Sequence, residues 1–389
     1  MEVSLLGIPV IAGYGVIPIR EYWDKDVVSL AINAVQNLVK STGLKDFDAI
    51  YVGNMLSKYY EEQASISVHL ADELGLEDVY ALDVECGDAS GAYAVLEAIK
   101  DVLSGESKIV LAGGVEKSTD ELPHRLYRGI SLSEDIFLVD YIGLTNLVNH
   151  AIALKMYIRR YNVDKADITY LSVLDHKNAS KARHAYFRFP IKLDTALNSP
   201  PVADPLTLFD ISPNIDGAAF LLITTDDIAK EYNLNYVKVL GYGYSVNRTR
   251  FYERFDPTTL TAAKRASQQA FKRAGINTSE LDFIEIHDST TIAGVLALES
   301  IGVHGSGTAA KYIRSGVHRL DGELPINTFG GLKARGNPLG ATGAYAIAEG
   351  VMQILGEAGG NQVKDAKIGL IHSMNGFDLS SIVFILGGD

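Results

Sequence analysis

Polar side chains capable of acid–base or nucleophilic chemistry stand at four predicted junctions where a strand ends. These residues are Cys86 and Asp88, His287 and Asp288, Asn337, and His372. The carboxyl ends of strands are where α/β proteins gather the side chains of an active site. One histidine at such a position is more often a structural hydrogen-bonding group, whereas four such junctions in one chain indicate a shared polar site.

The common sequence motifs for nucleotide, hydrolase and metal chemistry are missing. The chain has no GxxxxGK[ST] phosphate loop, no GxSxG nucleophile elbow and no HExxH helix. Its one cysteine, Cys86, excludes an internal disulfide and any CxxC site, which fits a reducing compartment. No metal site is predicted, and a lone cysteine is by default a small buried hydrophobic residue.

The elements that must position these groups alternate between strand and helix, which predicts an α/β fold. Apolar residues keep helical spacing from Asp26 until Gly43 ends the run, and short apolar runs at 49–52, 80–84 and 109–112 predict buried strands. A chain of 389 residues is long enough for two or three folding units.

One segment of the chain is repeated. Residues 88–94, DASGAYA, recur as residues 340–346, GATGAYA, and Glu97 matches Glu349 at the same offset. Each copy opens an amphipathic helix that is followed by a strand beginning with lysine and isoleucine. The sequence therefore predicts two related halves, with an insertion at about 118–215 where the alternation breaks down.

The insertion carries a basic, aromatic stretch at 181–192, KARHAYFRFPIK, which predicts either a phosphate-reading patch or a solvated face. The net charge of −13 disfavours nucleic acid and anionic lipid as partners. The uncharged run at 5–19 is broken by glycine and proline and lacks a basic flank. Neither a signal peptide nor a membrane span is expected, so a cytoplasmic protein is predicted.

Five segments resemble the thiolase superfamily, in particular its archaeal and sterol-carrier-protein-type branches. They are VECGDASG at 84–91, GGVEK at 113–117, IHD at 286–288, GGLKARGNPLGATG at 330–343 and LIH at 370–372. The segments occur in order over nearly the whole chain, and the one at 330–343 is highly specific.

The resemblance implies the thiolase fold, in which two duplicated βαβαβαββ halves stack as a five-layer αβαβα sandwich with an inserted loop domain. We predict the N-terminal half at 1–117 and 216–232, the loop domain at 118–215 and the C-terminal half at 233–389. The resemblance further implies a homodimer or dimer of dimers that pairs strands near 80–84. It also implies a zinc-ribbon/OB-fold acyl-CoA-binding partner protein and a role in lipid metabolism.

Members of this superfamily use a cysteine nucleophile, an activating histidine and a second acid/base to cleave or condense acyl-CoA. In ungapped register the nucleophile falls on Asp88, the activating histidine on Asn337 and the second acid/base on Ser289, while His287 keeps its expected identity. Cys86 lies two residues too early. These four positions, Asp88, His287, Ser289 and Asn337, are the candidate catalytic residues.

These replacements disfavour thiolase chemistry, because a thiolate needs its proton acceptor. An ionised Asp88 about 4 Å from the carbanion would oppose condensation by roughly 4 kcal/mol at an effective dielectric constant of 20. The simplest role for Asp88 is a helix N-cap. Phe377 and Asp378 are expected to add bulk and charge to a turn that is small in the family.

We therefore predict a thiolase-like binding or scaffolding protein of an acyl-CoA pathway. Two alternatives stay open: an acetyl-CoA acetyltransferase with Cys86 as nucleophile, and altered chemistry such as acyl transfer through Asp88 or decarboxylation with His287 and Asn337 stabilising an enolate. CoA or acyl-CoA is the expected ligand, and no covalently bound cofactor is expected. The residues predicted from their position to contact CoA are Arg183, Arg188, Ser245 and Gly376.

Overall fold

The computed structural model describes residues 7–137, Gly143 and residues 145–388. In chain order its strands are β1 (Pro9–Val16), β2 (Ala49–Gly53), β3 (Tyr80–Val84), β4 (Val110–Glu116), β5 (Pro201–Ala203), β6 (Leu206–Thr207), β7 (Gly217–Thr225), β8 (Val237–Val246), β9 (Phe283–Glu285), β10 (Ile368–Asn375) and β11 (Ser380–Gly387).

The described α-helices, in the same order, are α1 (Val27–Thr42), α2 (Ser57–Tyr60), α3 (Ile66–Glu73), α4 (Ser90–Ser104), α5 (Pro123–Ser131), α6 (Asn146–Tyr161), α7 (Lys165–Ala179), α8 (Leu193–Leu197), α9 (Asp226–Glu231), α10 (Thr261–Ala274), α11 (Thr291–Ile301), α12 (Ala309–Ser315) and α13 (Thr342–Ile354). A single π-helical turn spans Gly331–Arg335. None of these helices is long and apolar enough to cross a membrane.

Nine of the described strands form a sheet in the order β3-β2-β4-β7-β1-β8-β11-β10-β9, while β5 and β6 pair separately. The two middle strands, β1 and β8, are joined only through Val10–Lys238 and Ile11–Val237. This narrow junction lets the strands on its two sides act as two sheets, one from each half of the chain.

Helices α4 and α13 lie between these two sheets, because α4 packs on β2 and β4 of the first half and α13 packs on β10 of the second half and on β7 of the first. Helix α1 covers β1 and β7, and α10 covers β8 and β11. The buried side chains accordingly form a central core and two outer cores. The five-layer αβαβα arrangement of the thiolase fold is confirmed.

The repeated segments meet at the centre of the molecule. A Cβ atom at Gly91 would lie 2.8 Å from the carbonyl oxygen of Gly340, and one at Gly343 would lie 2.7 Å from the Cβ atom of Ala92. The backbones of α4 and α13 therefore approach too closely for larger side chains at these positions. The two copies of the repeated segment therefore form the surfaces through which the two halves of the chain contact each other.

Local signals placed some elements correctly. The Asp26 side chain accepts the Ser29 N–H at 2.7 Å at the start of α1, and Gly43 ends that helix in the left-handed conformation with φ +74°. The strand at 80–84 is also present, but the prediction that it is buried is wrong. It forms the end of the sheet, where Tyr80 is 57% exposed and Leu82 is 40% exposed.

Candidate active site

A cavity of about 350 Å³ is enclosed jointly by the inserted region and by loops that follow the strands. Three of the four candidate catalytic residues line it: Asp88 follows β3, Ser289 follows β9, and Asn337 follows the turn at 331–335. Much of the remaining wall is apolar and comes from α5, α6 and residues 187–211. The fourth candidate, His287, is buried but does not line the cavity.

The turn that presents Asp88 is fixed by its neighbours. Gly87 has a φ of +55°, and a Cβ atom there would lie 1.9 Å from Oδ1 of Asn375, so a larger residue would strain the backbone and displace the Asn375 side chain. The Ser90 hydroxyl donates to the Gly87 carbonyl at 2.6 Å and accepts the Cys86 N–H at 2.8 Å. Ser90 therefore ties the end of β3 to the first residue of α4.

The carboxyl group of Asp88 is not a helix cap, so that prediction is wrong. Helix α4 has Ala89 at its N-cap position and no side-chain cap, because the Ser90 hydroxyl holds the turn instead. Asp88 is 4% exposed, and its Oδ1 has no hydrogen-bond partner. Burial raises the pKa of Asp88 to about 7, and the nearby N–H of Gly376 acts in the opposite direction. This carboxyl can exchange a proton near neutral pH.

Cys86 lies outside the cavity wall. Its Sγ is 3.3 Å from the hydroxyl oxygen of Ser380 on β11, and burial raises the pKa of the thiol. A nucleophilic cysteine needs the opposite shift, because the thiolate is the reactive form.

Asn337 and Ser289 are brought together by the segment 212–215. The Ser289 carbonyl accepts the Ser212 N–H at 3.0 Å, and Asn337 bonds through its backbone to the Pro213 carbonyl at 3.0 Å and the Ile215 N–H at 3.1 Å. The side-chain oxygens of Asn337 and Ser289 are both buried without a partner. Unpartnered polar atoms in a cavity wall are available to a ligand.

His287 is 1% exposed, and its Nδ1 accepts the Met374 N–H at 3.4 Å. That contact leaves the proton on Nε2, which has no partner. Burial first, and then the neighbouring His372, lower the pKa of His287 far below its usual value. The imidazole is therefore neutral at pH 7 and provides a buried N–H beside the site.

Two cavity residues were missed by the sequence reasoning. The first is His150 of α6, whose Nδ1 lies 2.8 Å from Oγ1 of Thr290 and whose ring contacts Phe377 with centroids 4.2 Å apart. Burial lowers its pKa to about 3, so it is neutral. The second is Lys333, which was present in the GGLKARG motif but had no assigned role. No sequence signal marked His150.

The expectation that Phe377 and Asp378 fill the site is wrong. Neither residue lines the cavity. The Asp378 carboxylate instead accepts the N–H groups of Ala262 and Ala263 at 2.9 and 3.0 Å, at the start of α10. A carboxylate at this helix N-terminus is electrostatically favourable, and it draws the side chain away from the cavity.

The four predicted CoA-contacting residues do not come together. Arg183 is exposed and lines a different cavity, Arg188 is exposed, and Ser245 lies on β8. Gly376 alone is near Asp88. Among the described residues, no group of His, Cys, Asp and Glu side chains is arranged to hold a metal ion.

Family models and a known protein match the sequence of this chain over most of its length. Residues 10–227 match the thiolase N-terminal domain, and residues 243–388 match the thiolase C-terminal domain-like family. The acetyl-CoA acetyltransferase of Methanothermobacter thermautotrophicus is 35% identical, over 94% of this chain and 95% of that protein.

Two solved structures share the fold. The Ltp2-ChsH2(DUF35) aldolase aligns with a TM-score of 0.85 and 23% identity over 99% of both chains. Human mitochondrial 3-ketoacyl-CoA thiolase in complex with CoA aligns with a TM-score of 0.77 and 16% identity over the full length of both chains. The fold, the two family matches and the archaeal relative agree, and the chain belongs to the thiolase family.

Proposed function

We propose that this chain lacks thiolase activity and instead cleaves or forms a carbon–carbon bond in a 3-hydroxyacyl-CoA by aldol chemistry, with Asp88 as the general base. The observation that carries the proposal is the Asp88 carboxyl itself. It is buried, lines the cavity, has an unpartnered Oδ1 and has a pKa raised to about 7 by burial. A base with this pKa suits proton transfer at neutral pH.

Each step of this reaction balances. The ionised Asp88 takes the proton of the 3-hydroxyl group, the bond between C2 and C3 breaks, and C3 leaves as the carbonyl carbon of an aldehyde. The electron pair forms the enolate of the thioester, whose oxygen accepts a hydrogen bond from the side-chain amide of Asn337. Asp88 then returns its proton to C2, so that a shorter acyl-CoA is released.

Aldol chemistry also removes the electrostatic conflict that Asp88 creates for a thiolase. In a Claisen reaction an ionised Asp88 would face the carbanion, with a repulsion of roughly 4 kcal/mol. In aldol cleavage Asp88 has already accepted a proton when the enolate forms. The site then carries one negative charge throughout, and the charge only moves from Asp88 to the substrate.

Unpartnered atoms favour a site that holds a ligand over the scaffolding role that the sequence first suggested. Asp88, Ser289 and Asn337 each leave a buried oxygen without a hydrogen bond in one cavity. Such groups destabilise a fold by about 1–3 kcal/mol each, so retaining three of them without a ligand would bring no benefit.

The known proteins give further support for the ligand and partner. One structural neighbour is named as an aldolase that contains a DUF35 protein, and another is in complex with CoA. We propose CoA thioesters as the ligands and a DUF35-type zinc-ribbon/OB-fold protein as a partner. We also propose a homodimer that pairs through β3, whose exposed Tyr80 and Leu82 lie at the end of the sheet.

The test uses purified protein with 3-hydroxybutyryl-CoA, 3-hydroxyadipyl-CoA and 3-hydroxy-3-phenylpropionyl-CoA, alone and with the partner protein, and measures aldehyde release by mass spectrometry. We expect Asp88→Asn to lower kcat at least about 100-fold, because a positioned base contributes 10²–10⁴-fold. The matched control Cys86→Ser should stay within about twofold. Thiolysis of acetoacetyl-CoA at the usual enzymatic order of 1–10³ per second would overturn the proposal, as would CoA binding without any cleavage.

A further inference from the structure

Lys333 is a buried cation in the cavity wall. The residue is 2% exposed and lines the same cavity as Asp88. Its ammonium nitrogen lies 5.4 Å from the ring centre of Phe187 and 5.3 Å from that of Phe209, so two aromatic faces take the place of water around the charge. None of the residues that the structure describes forms a hydrogen bond or an ion pair within 4.0 Å with this ammonium.

The acidic residues near Lys333 favour its charged form but accept no hydrogen bond from its ammonium group. Burial lowers the pKa of Lys333 to about 8, while Asp175, Asp288 and Asp210 act in the opposite direction. Their oxygens mostly have other partners. Asp288 accepts the backbone N–H groups of Leu332 and Lys333 at 2.7 and 3.2 Å.

Asp210 is similarly occupied. It accepts from the hydroxyl groups of Thr169, Thr207 and Thr291 and lies 3.2 Å from the ammonium of Lys165. The Lys333 ammonium therefore has N–H donors available to a ligand at the cavity wall.

Arg335, two residues further along the same turn, is a buried cation that does have side-chain partners. Its guanidinium contacts Glu349 at 2.6 Å and Thr342 at 3.1 Å, and it does not line the cavity. Two buried cations thus emerge from one turn, one paired inside the protein and the other unpaired at the cavity surface.

We infer that Lys333 binds a carboxylate at the far end of the acyl group. This inference rests on the proposed function only because it takes the ligand to be an acyl thioester. The substrate class is then the CoA thioesters of dicarboxylic acids. The Lys333 ammonium supplies charge-assisted hydrogen bonds to the free carboxylate, while the aromatic wall contacts the methylene chain between the two ends.

A single carboxylate fits this cavity better than other anions. Asp88 and Lys333 are the only Asp, Glu, Lys or Arg side chains among the described lining residues. One unpaired cation between two aromatic rings matches a single carboxylate, whereas the second charge of a phosphate would be buried near Asp175, Asp288 and Asp210 without a counterion.

The experiment measures binding alone, so its result does not depend on turnover. Calorimetry compares glutaryl-, adipyl- and suberyl-CoA with pentanoyl-, hexanoyl- and octanoyl-CoA, none of which carries the 3-hydroxyl group that aldol cleavage needs. We expect at least one dicarboxylic thioester to bind about tenfold or more tightly than its methyl-ended counterpart of equal length. In Lys333→Met the two should bind within about threefold of each other.

Two further variants keep the inference falsifiable if Lys333→Met is unstable. Lys333→Arg retains the charge and should retain a preference for the carboxylate, and the exposed Lys311→Met is the matched control that should behave as the unmodified protein. The inference is overturned if the unmodified protein shows no preference in any pair, or if folded Lys333→Met keeps the preference. Aldehyde release from 3-hydroxybutyryl-CoA tests the proposed function separately.

Discussion

Glu349 accepts a hydrogen bond from the guanidinium of Arg335 at 2.6 Å, and each side chain is 1% exposed. The other carboxylate oxygen of Glu349 lies 2.7 Å from Nε2 of His184 in the inserted region. This one carboxylate on α13 therefore joins the turn that carries Lys333 to the segment that carries Phe187. The geometry of the cavity depends on an ion pair outside it.

Replacing Glu349 with glutamine should destabilise the fold strongly. The change removes the carboxylate that pairs directly with the buried Arg335 charge, and breaking such a pair typically lowers the free energy of unfolding by about 3–5 kcal/mol. The repeat supplies a matched control, since Glu97 occupies the corresponding position of α4 but forms a half-exposed pair with Lys100. Glu97→Gln should change the free energy by less than about 1 kcal/mol in urea denaturation. Equal effects would contradict this account of the pair.

The Asp88→Asn substitution should stabilise the protein at pH 8. Because the folded-state pKa of Asp88 is raised to about 7, from an ordinary carboxyl value near 4, the folded protein holds a proton that the unfolded chain releases between these values. Stability contributed by this group therefore falls as pH rises from 4 to 7. Above pH 7 the ionised carboxyl destabilises the fold by as much as about 4 kcal/mol, which asparagine avoids.

Unfolding of the two proteins should be compared at pH 8 and pH 4. The stabilising effect of asparagine should be present at pH 8 and nearly absent at pH 4, where Asp88 is protonated in the folded state and partly protonated in the unfolded state. An equal advantage at both pH values would show that Asp88 is not a raised-pKa carboxyl.

Much of the site follows from local sequence signals, and the rest depends on long-range packing. The ends of β3 and β9 bring Asp88 and Ser289 to one cavity, as α/β topology predicts, whereas Asn337 was expected at a strand end and instead follows the turn at Gly331–Arg335. His150 and Phe187 come from irregular or distant segments of the insertion, whose position is set by contacts such as His184 with Glu349. No periodicity in the sequence encodes those contacts.

The exposure of β3 was missed for the same reason. Its apolar composition predicts a strand, but burial depends on the position of that strand in the sheet, which only the order of strands reveals. Likewise, Asp378 was expected in the site from its place in the chain, whereas the N-terminus of α10 holds it elsewhere.

The exposed face of β3 should mediate self-association. An unpaired edge strand with apolar side chains is a surface on which a second chain can pair. The protein should sediment as a dimer or larger species, and Leu82→Lys should yield monomers. Phe255→Lys, a change at a fully exposed apolar residue outside β3, should not. A stable monomer of the unmodified protein at micromolar concentration would contradict the prediction.

Alkylation of Cys86 should be slow and of little consequence. Its thiol is largely buried, its pKa is raised by burial, and it lies outside the cavity. Iodoacetamide should react more slowly than with a free thiol of ordinary pKa, and the alkylated protein should still bind CoA thioesters in calorimetry. Loss of binding together with rapid alkylation would indicate that the thiol belongs to the site.

Reinstalling the thiolase residues should separate the contribution of each position. Asp88→Cys places a thiol directly before α4, where the helix dipole favours the thiolate. Asn337 cannot accept the thiol proton as an imidazole does, and the Ser289 hydroxyl is a far weaker acid than a thiol. We therefore expect Asp88→Cys alone to form an acyl-enzyme slowly from acetyl-CoA, and the combination with Asn337→His and Ser289→Cys to form it measurably faster. Intact-mass spectrometry measures the acetyl adduct over time.

Since Phe377 and Asp378 lie outside the cavity, they present no obstacle to the triple variant. Full thiolase activity from the single substitution would mean that the remaining site was intact, and a triple variant no faster than the single one would mean that the cavity no longer holds an acyl thioester in the thiolase manner.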